Sequence, residues 1–267
     1  MRKYFYSIGL FLFLFQLSLL SENIKITINS IPPLPLENLL KDRNPGFEDG
    51  LKFWVLPKDI PAGEKIEISN DAYKGKYSLY VNSKKGIGVY QMLTGFLSPD
   101  IIVPGENYII SCWVKAGEEV NQRGGVYCGA GSSFVIYSSD WKQAKSTLCK
   151  TGNTEKKWKK IVGKPVEVPE FGKVYTLNVG TSYTPGEAWI DEISITKAFV
   201  DLSFTVEGNN ILQIILEDEI GNLIFDSGRL PEKTDKFSKT LQVISTYQYK
   251  IRVIDNKGEI YVQEYPK

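Results

Sequence analysis

The sequence predicts an all-β protein, a β-sandwich or jelly roll followed by a small second sandwich. Three observations lead there. From residue 64 onward, short apolar runs recur at similar spacing, divided by Gly, Pro, Asn and Asp. No segment of that region sustains a helical period. The composition, 42% hydrophobic and 24% charged over 267 residues, is ordinary globular material with room for one or two domains.

The first element reads as an export signal, assigned to 1–21. Met1-Arg2-Lys3 is a short positive start, and Tyr4 to Leu20 is apolar apart from Ser7, Gln16 and Ser18. The run is short for a spanning helix, and Ser21-Glu22-Asn23 follows it. A clear small-x-small cleavage site is missing, so the same segment can stay as an N-terminal anchor; no cysteine follows it to carry a lipid. The expected location is secreted or cell-surface, with membrane contact only through this segment if uncleaved. Residues 22–40 read as a linker, because Ile31-Pro32-Pro33-Leu34-Pro35 is stiff and extended.

A first domain is assigned to 41–198, with strands predicted at 64–69, 76–82, 87–94, 107–116, 125–137, 159–168, 173–181 and 187–196. One can be read face by face. Alternation puts Tyr108, Ile110, Cys112, Val114 and Ala116 on a core face and Ser111, Trp113 and Lys115 on the other. Trp113 among polar neighbours either meets a ligand or is covered by a loop. At Phe199 the composition changes. Six further apolar stretches, at 200–206, 211–217, 222–226, 237–245, 247–254 and 259–264, alternate with hairpin cues such as Asp255-Asn256-Lys257-Gly258. They predict a small immunoglobulin-like or fibronectin-like β-sandwich over 199–267, without Trp or Cys, suited to a spacer or to docking a surface protein.

Charge and composition exclude several functions. With 32 Lys+Arg against 31 Asp+Glu there is no electrostatic footprint for nucleic acid. The clusters Lys84-Lys85 and Lys156-Lys157-Trp158-Lys159-Lys160 read as solvated strand ends. The chain has no histidine, which removes Ser-His-Asp catalysis and His-ligated zinc or iron. Paired carboxylates of a glycosidase stay open on composition alone. Of the three cysteines, Cys128 and Cys149 flank a loop-rich stretch and are the preferred disulfide pair, with Cys112 a small core residue.

Several motifs then occur in a telling order. Asn44-Pro45-Gly46-Phe47-Glu48, followed by Trp54, comes first, then Asp71-Ala72-Tyr73-Lys74-Gly75-Lys76-Tyr77-Ser78-Leu79 and Val89-Tyr90-Gln91. Pro104-Gly105 leads into Ser111-Cys112-Trp113-Val114-Lys115-Ala116, followed by Trp158-Lys159-Lys160 and Trp189-Ile190-Asp191-Glu192. Together they resemble the family 4/9/22-type carbohydrate-binding modules, galactose-binding-like jelly rolls, over about residues 41–198. Glu192 stands where the family has a second Asp, and 120–155 matches nothing in the family.

The resemblance implies a non-catalytic module that binds a polysaccharide or oligosaccharide on its concave sheet. By family position Tyr90, Gln91 and Trp113 would meet the sugar, with Tyr127, Tyr137, Trp141 and Tyr183 as rim aromatics. Trp54 and Trp189 would be core. It also implies a structural calcium (Ca2+), with carboxylates from Glu48, Asp71 and Asp191 and carbonyls from Gly46 and Lys74. The competing expectation for Glu48 and Asp191 is pairing with nearby lysines. A competing expectation for the whole chain is a structural or adhesive cell-surface protein that uses the sandwich for protein contact. An enzyme is not expected.

Overall fold

The computed structural model describes residues 24–98 and 101–266. The signal expected over 1–21 lies outside them. Among the described residues no helix is long and apolar enough to cross a membrane. Their one helical element is a 3-10 turn at Lys41–Arg43; all other regular structure is strand.

A first strand, β1 (Lys25–Ile31), precedes a group of ten. These are β2 (Lys65–Ser69), β3 (Ser78–Ser83), β4 (Gly88–Met92), β5 (Asn107–Ala116) and β6 (Gly129–Tyr137). They continue with β7 (Ala144–Thr151), β8 (Lys159–Val162), β9 (Val166–Glu167), β10 (Val174–Ser182) and β11 (Gly186–Lys197). The chain ends in β12 (Phe199–Glu207), β13 (Ile211–Asp218), β14 (Leu223–Asp226), β15 (Lys236–Ile244), β16 (Tyr249–Asp255) and β17 (Ile260–Tyr265). Contacts divide the molecule into two units, one of Pro32–Val200 with Gln242–Thr246 and one of the remainder.

The larger unit is a jelly roll of two antiparallel sheets. Four strands run in the order β4-β10-β6-β7, and β2-β3-β11-β5-β8 form the other sheet, with β9 added on β5. The face-by-face reading of β5 holds: Tyr108, Ile110, Cys112, Val114 and Ala116 are fully buried. They share one core with Phe134 and Ile136 of β6 and Leu177 and Val179 of β10. Each buried aliphatic side chain contributes about 1.5–3 kcal/mol relative to exposure. That core therefore sets which way every other residue of these strands must point.

Within the jelly roll the sequence reading departs from the structure at two places. β7 is an edge strand with only Thr147 and Cys149 buried, so its sequence, Ala-Lys-Ser-Thr-Leu-Cys-Lys-Thr, carries little apolar alternation. The strand predicted at 159–168 is two short pieces, β8 and β9, because Gly163-Lys164-Pro165 interrupts it.

The smaller unit is a seven-stranded β-sandwich, with sheets β1-β12-β15 and β14-β13-β16-β17. Phe204, Phe225 and Phe237 cluster with ring centroids 5.9–6.1 Å apart. Here the linker reading of 22–40 needs correction. Residues 25–31 pair with β12 from Lys25↔Glu207 to Ile31↔Asp201. Ile26 and Ile28 alternate with Thr27 and Asn29 as a half-buried strand requires, but the partner lies beyond the jelly roll and no turn signal marks it. The jelly roll is thus inserted between two neighbouring strands of the small sandwich.

The cysteines also depart from the expected pairing. Cys112 Sγ and Cys149 Sγ lie 3.1 Å apart, both buried, whereas Cys128 Sγ crowds Gly124 instead. β5 and β7 belong to opposite sheets, and their inward residues meet in the core. All three are free thiols here. Burial holds the Cys112 thiol well above its ordinary pKa, so little of it is the reactive thiolate in the folded state. Refolding against a disulfide oxidant such as oxidised glutathione is expected to join Cys112 to Cys149 and leave Cys128 free. Peptide mapping of the blocked and unblocked thiols checks this; the link would raise stability by roughly 3–4 kcal/mol on loop entropy.

Candidate functional site

The outward face of the four-stranded sheet is built row by row. Gly180 of β10 lies opposite Gly88 of β4 on one side and Gly131 of β6 on the other. Gly131 in turn lies opposite Lys150 of β7. The next row is Tyr90, Asn178, Ser133 and Leu148. Directly opposed residues share a face, so these rows form one surface.

Three consecutive glycines across a sheet need a cause. A Cβ on Gly88 would stand 2.1 Å from Val179 O, on Gly180 2.2 Å from Ile87 O, and on Gly131 2.0 Å from Cys149 O. Gly131 and Gly180 also hold φ of 141° and 148°, where L side chains are strained. The strands approach too closely for any side chain. The floor there is bare backbone, and a groove of about 310 Å³ opens over it, rimmed by Lys85, Tyr90, Lys150, Asn178 and Tyr183. Tyr90 is 38% exposed and Tyr183 80%. Lys150 Nζ donates to Tyr127 O at 3.2 Å and to Ser182 Oγ. Burial pulls its pKa below the usual lysine value.

The aromatic candidates divide. Tyr90 and Tyr183 line the groove. Tyr127, exposed, sits just before β6 and reaches the site through its carbonyl. Tyr137 lies on the same face towards the far end of the sheet, opposite Val174 and 4.9 Å from the ring of exposed Trp141. Gln91 and Trp113 do not join them. Gln91 is buried, because it follows Tyr90 and alternation turns it inward; its Nε2 donates to Arg43 O at 2.9 Å. Trp113 projects from the other sheet, its ring stacked on Tyr73 at 3.5 Å and 10°. Trp54 is core, packed on Phe47. Trp189 is half-buried on the outer face of the six-stranded sheet, with Lys115 over its ring at 4.9 Å.

Sequence reading missed Lys150, Asn178 and the glycine row. The run Gly129-Ala130-Gly131-Ser132-Ser133 inside a strand was the available signal, since strand glycines mark close backbone approach.

The carboxylate candidates form a second location. β11 bulges between Asp191 and Ser194, with Glu192 at φ 46°. The bulge aims the fully buried Asp191 at the turn after β2, where its Oδ2 accepts from Tyr73 N at 2.9 Å and Lys74 N at 3.1 Å. Desolvation pushes its pKa up to about 6. Glu48 accepts from the amides of Lys76 and Tyr77 in the same turn. Among the described residues neither is paired with a lysine; both meet backbone amides instead. Asp71 is held by Lys115. Gly46 is buried beside the Asp191 and Glu192 carboxylates, its Cβ position 2.9 Å from Glu192 Oε1, and Lys74 Nζ lies 3.4 Å from Glu192 Oε2. Among the described residues no three acidic side chains converge as a metal site.

Residues 42–182 match the family model of a carbohydrate-binding domain, CBM_4_9, over just more than half of the chain. The chain belongs to that carbohydrate-binding family. The jelly roll is its carbohydrate-binding domain. It is similar to the CBM22-1 xylan-binding domain of Paenibacillus barcinonensis Xyn10C, at 20% identity, 57% of this chain and 90% of the other, TM-score 0.40. It is also similar to the C-terminal family 22 module of Clostridium thermocellum Xyn10B, at 18% identity, 57% and 89% coverage, TM-score 0.38. A third similar structure is TmCBM61 in complex with β-1,4-galactotriose, at 17% identity, 61% and 99% coverage, TM-score 0.36. No curated protein matches the chain.

The raised pKa of Asp191 in this carbohydrate-binding domain has a defined sign. Folding favours its protonated form, so in chelator the domain loses stability as pH rises from 3.8 towards about 6. Thermal melts in EGTA between pH 4 and 7 should show that decline, and Asp191→Asn should flatten it.

Proposed function

We propose that the chain is an exported, non-catalytic protein that binds a poly- or oligosaccharide across the outward face of the four-stranded sheet. The observation that carries the reading is the bare glycine floor flanked by the exposed rings of Tyr90 and Tyr183. A sugar ring presents C–H faces that stack on aromatic rings, and hydroxyls that both donate and accept hydrogen bonds. Asn178 offers both partners from the rim. Export is proposed on the basic and apolar residues 1–20, and the non-catalytic role on the lack of histidine in this sequence. The C-terminal sandwich serves as a spacer or docks a surface protein.

A structural calcium belongs to the same proposal. Glu48 and Asp191 reach the 73–77 turn from separate segments, and Asp191 is a desolvated carboxylate without a cation beside it. Calcium takes six to eight oxygens, so carbonyls such as those of Gly46 and Lys74, with water, would complete the shell. Bound there, the ion would tie these separate segments of the fold together. Asp71 drops out of the set because Lys115 holds it. Millimolar calcium should raise the melting temperature of the native chain and leave Asp191→Ala unmoved; equal shifts in both would remove the ion from this location.

Affinity electrophoresis of the full chain through gels of xylan, β-glucan, mannan, pectin and starch tests the sugar reading. Retardation by at least one is expected, weakened about tenfold by Tyr90→Ala, the equivalent of about 1.4 kcal/mol of stacking. Trp113→Ala should bind normally, since Tyr73 already covers that ring. Free migration of folded protein through every gel would favour a protein-binding surface role.

A further inference from the structure

The groove carries two ammonium groups and no carboxylate. Lys150 ends the glycine row, and Lys85 precedes β4; among the described residues lining the groove there is no Asp or Glu. Glu64 accepts from the Lys84 amide at 3.1 Å but does not line the groove. Several other lysines of this unit do pair with carboxylates, among them Lys115 with Asp71 and Lys156 with Glu187 at 2.6 Å. The formal charge of the whole chain is only +1, so a groove lined by two lysines and no acid is a local excess of positive charge.

Lys150 is held as an anchor would be. Two of its three N–H donors go to Tyr127 O and Ser182 Oγ, which fix the ammonium and leave one donor free for a ligand. Neither partner is charged, so the positive charge is not cancelled. Partial burial lowers the pKa of this amine, a cost that an anion in the groove would reverse. A charge-assisted hydrogen bond is about twice as strong as a neutral one, and stronger again away from water.

We propose that the groove selects an acidic glycan, one whose sugars carry carboxylates as uronic acids do, with Lys150 as the carboxylate anchor and Lys85 as a second contact. This rests on the carbohydrate-binding reading and adds the charge of the ligand to it. The tyrosines hold the ring, and Lys150 reads the acid.

The test titrates the full chain by calorimetry with polygalacturonate, with the same polymer after carboxyl reduction, with glucuronoxylan and unsubstituted xylan, and with dextran sulfate. The carboxylated member of each pair is expected to bind about tenfold more tightly or better. That advantage should shrink in 0.5 M salt and disappear in Lys150→Gln. Equal binding to carboxylated and neutral partners would overturn the proposal and leave sugar binding standing. Tighter binding to dextran sulfate than to either uronate polymer would overturn the carboxylate assignment in favour of sulfate esters. Loss of binding to every polymer would overturn both readings together. Should Lys150→Gln fail to fold, Lys85→Gln on the exposed turn and the salt dependence of the unaltered chain decide. An unchanged preference in one and salt-independent affinity in the other would overturn it.

Discussion

The mutual burial of the inward faces of β5, β6 and β10 is the contact on which the rest of the jelly roll depends. Tyr108, Ile110, Cys112, Val114 and Ala116 meet Phe134, Ile136, Leu177 and Val179 in one core. A strand has only two faces, so committing one to the core leaves no freedom for the other. Tyr90, Asn178, Ser133 and Lys150 face out because Val89, Gln91, Leu177, Val179, Phe134 and Cys149 face in. A one-residue slip of β10 would bury Asn178 and expose Leu177. The proposed binding surface is thus the outward remainder of a packing solution.

On that surface the absence of side chains matters as much as their presence. At Gly88, Gly180 and Gly131 the neighbouring carbonyls stand closer than a Cβ allows. Close approach of the strands makes a trough rimmed by Tyr90, Asn178 and Tyr183 and by Lys85 and Lys150. The opposite sheet has a different outward face. There Tyr73 covers Trp113, Tyr80 leans on Trp189 at 4.9 Å, and Lys115 joins Asp71 to the Trp189 ring. One face is closed by its own residues and the other left open, which is why the sugar is assigned to the second.

The bulge in β11 places a buried charge, Asp191, inside the fold. It brings Asp191 to the 73–74 amides and sets Glu192 beside Gly46, while Ile193 N bonds Pro45 O across the same junction. A buried carboxylate held only by neutral amides keeps its charge at a cost, and a divalent cation would offset it. The same electrostatic reasoning applies in the groove with the sign reversed. Desolvated charge at Asp191 supports a bound cation, and uncancelled charge at Lys150 supports a bound anion.

How much of this was legible depended on the range of the interaction. Period-two alternation showed the core face of β5, the outward turn of Trp113 and the strand series from β2 to β17, apart from β7 and the break between β8 and β9. It could also have separated Gln91 from Tyr90, since adjacent residues cannot share a face. β1 carried the right pattern, but its partner β12 lies beyond an entire domain, and nothing local to β1 announces that. The sequence by itself determined an all-β chain, the inward residues of β5 and the chemistry excluded by the lack of histidine. Only the tertiary structure decided that Tyr73 caps Trp113, that Cys149 meets Cys112 rather than Cys128, and that Lys150 ends a row of glycines. Those outcomes are set by contacts between segments remote along the chain, and the periodicity of a single strand holds no information about what will lie across from it.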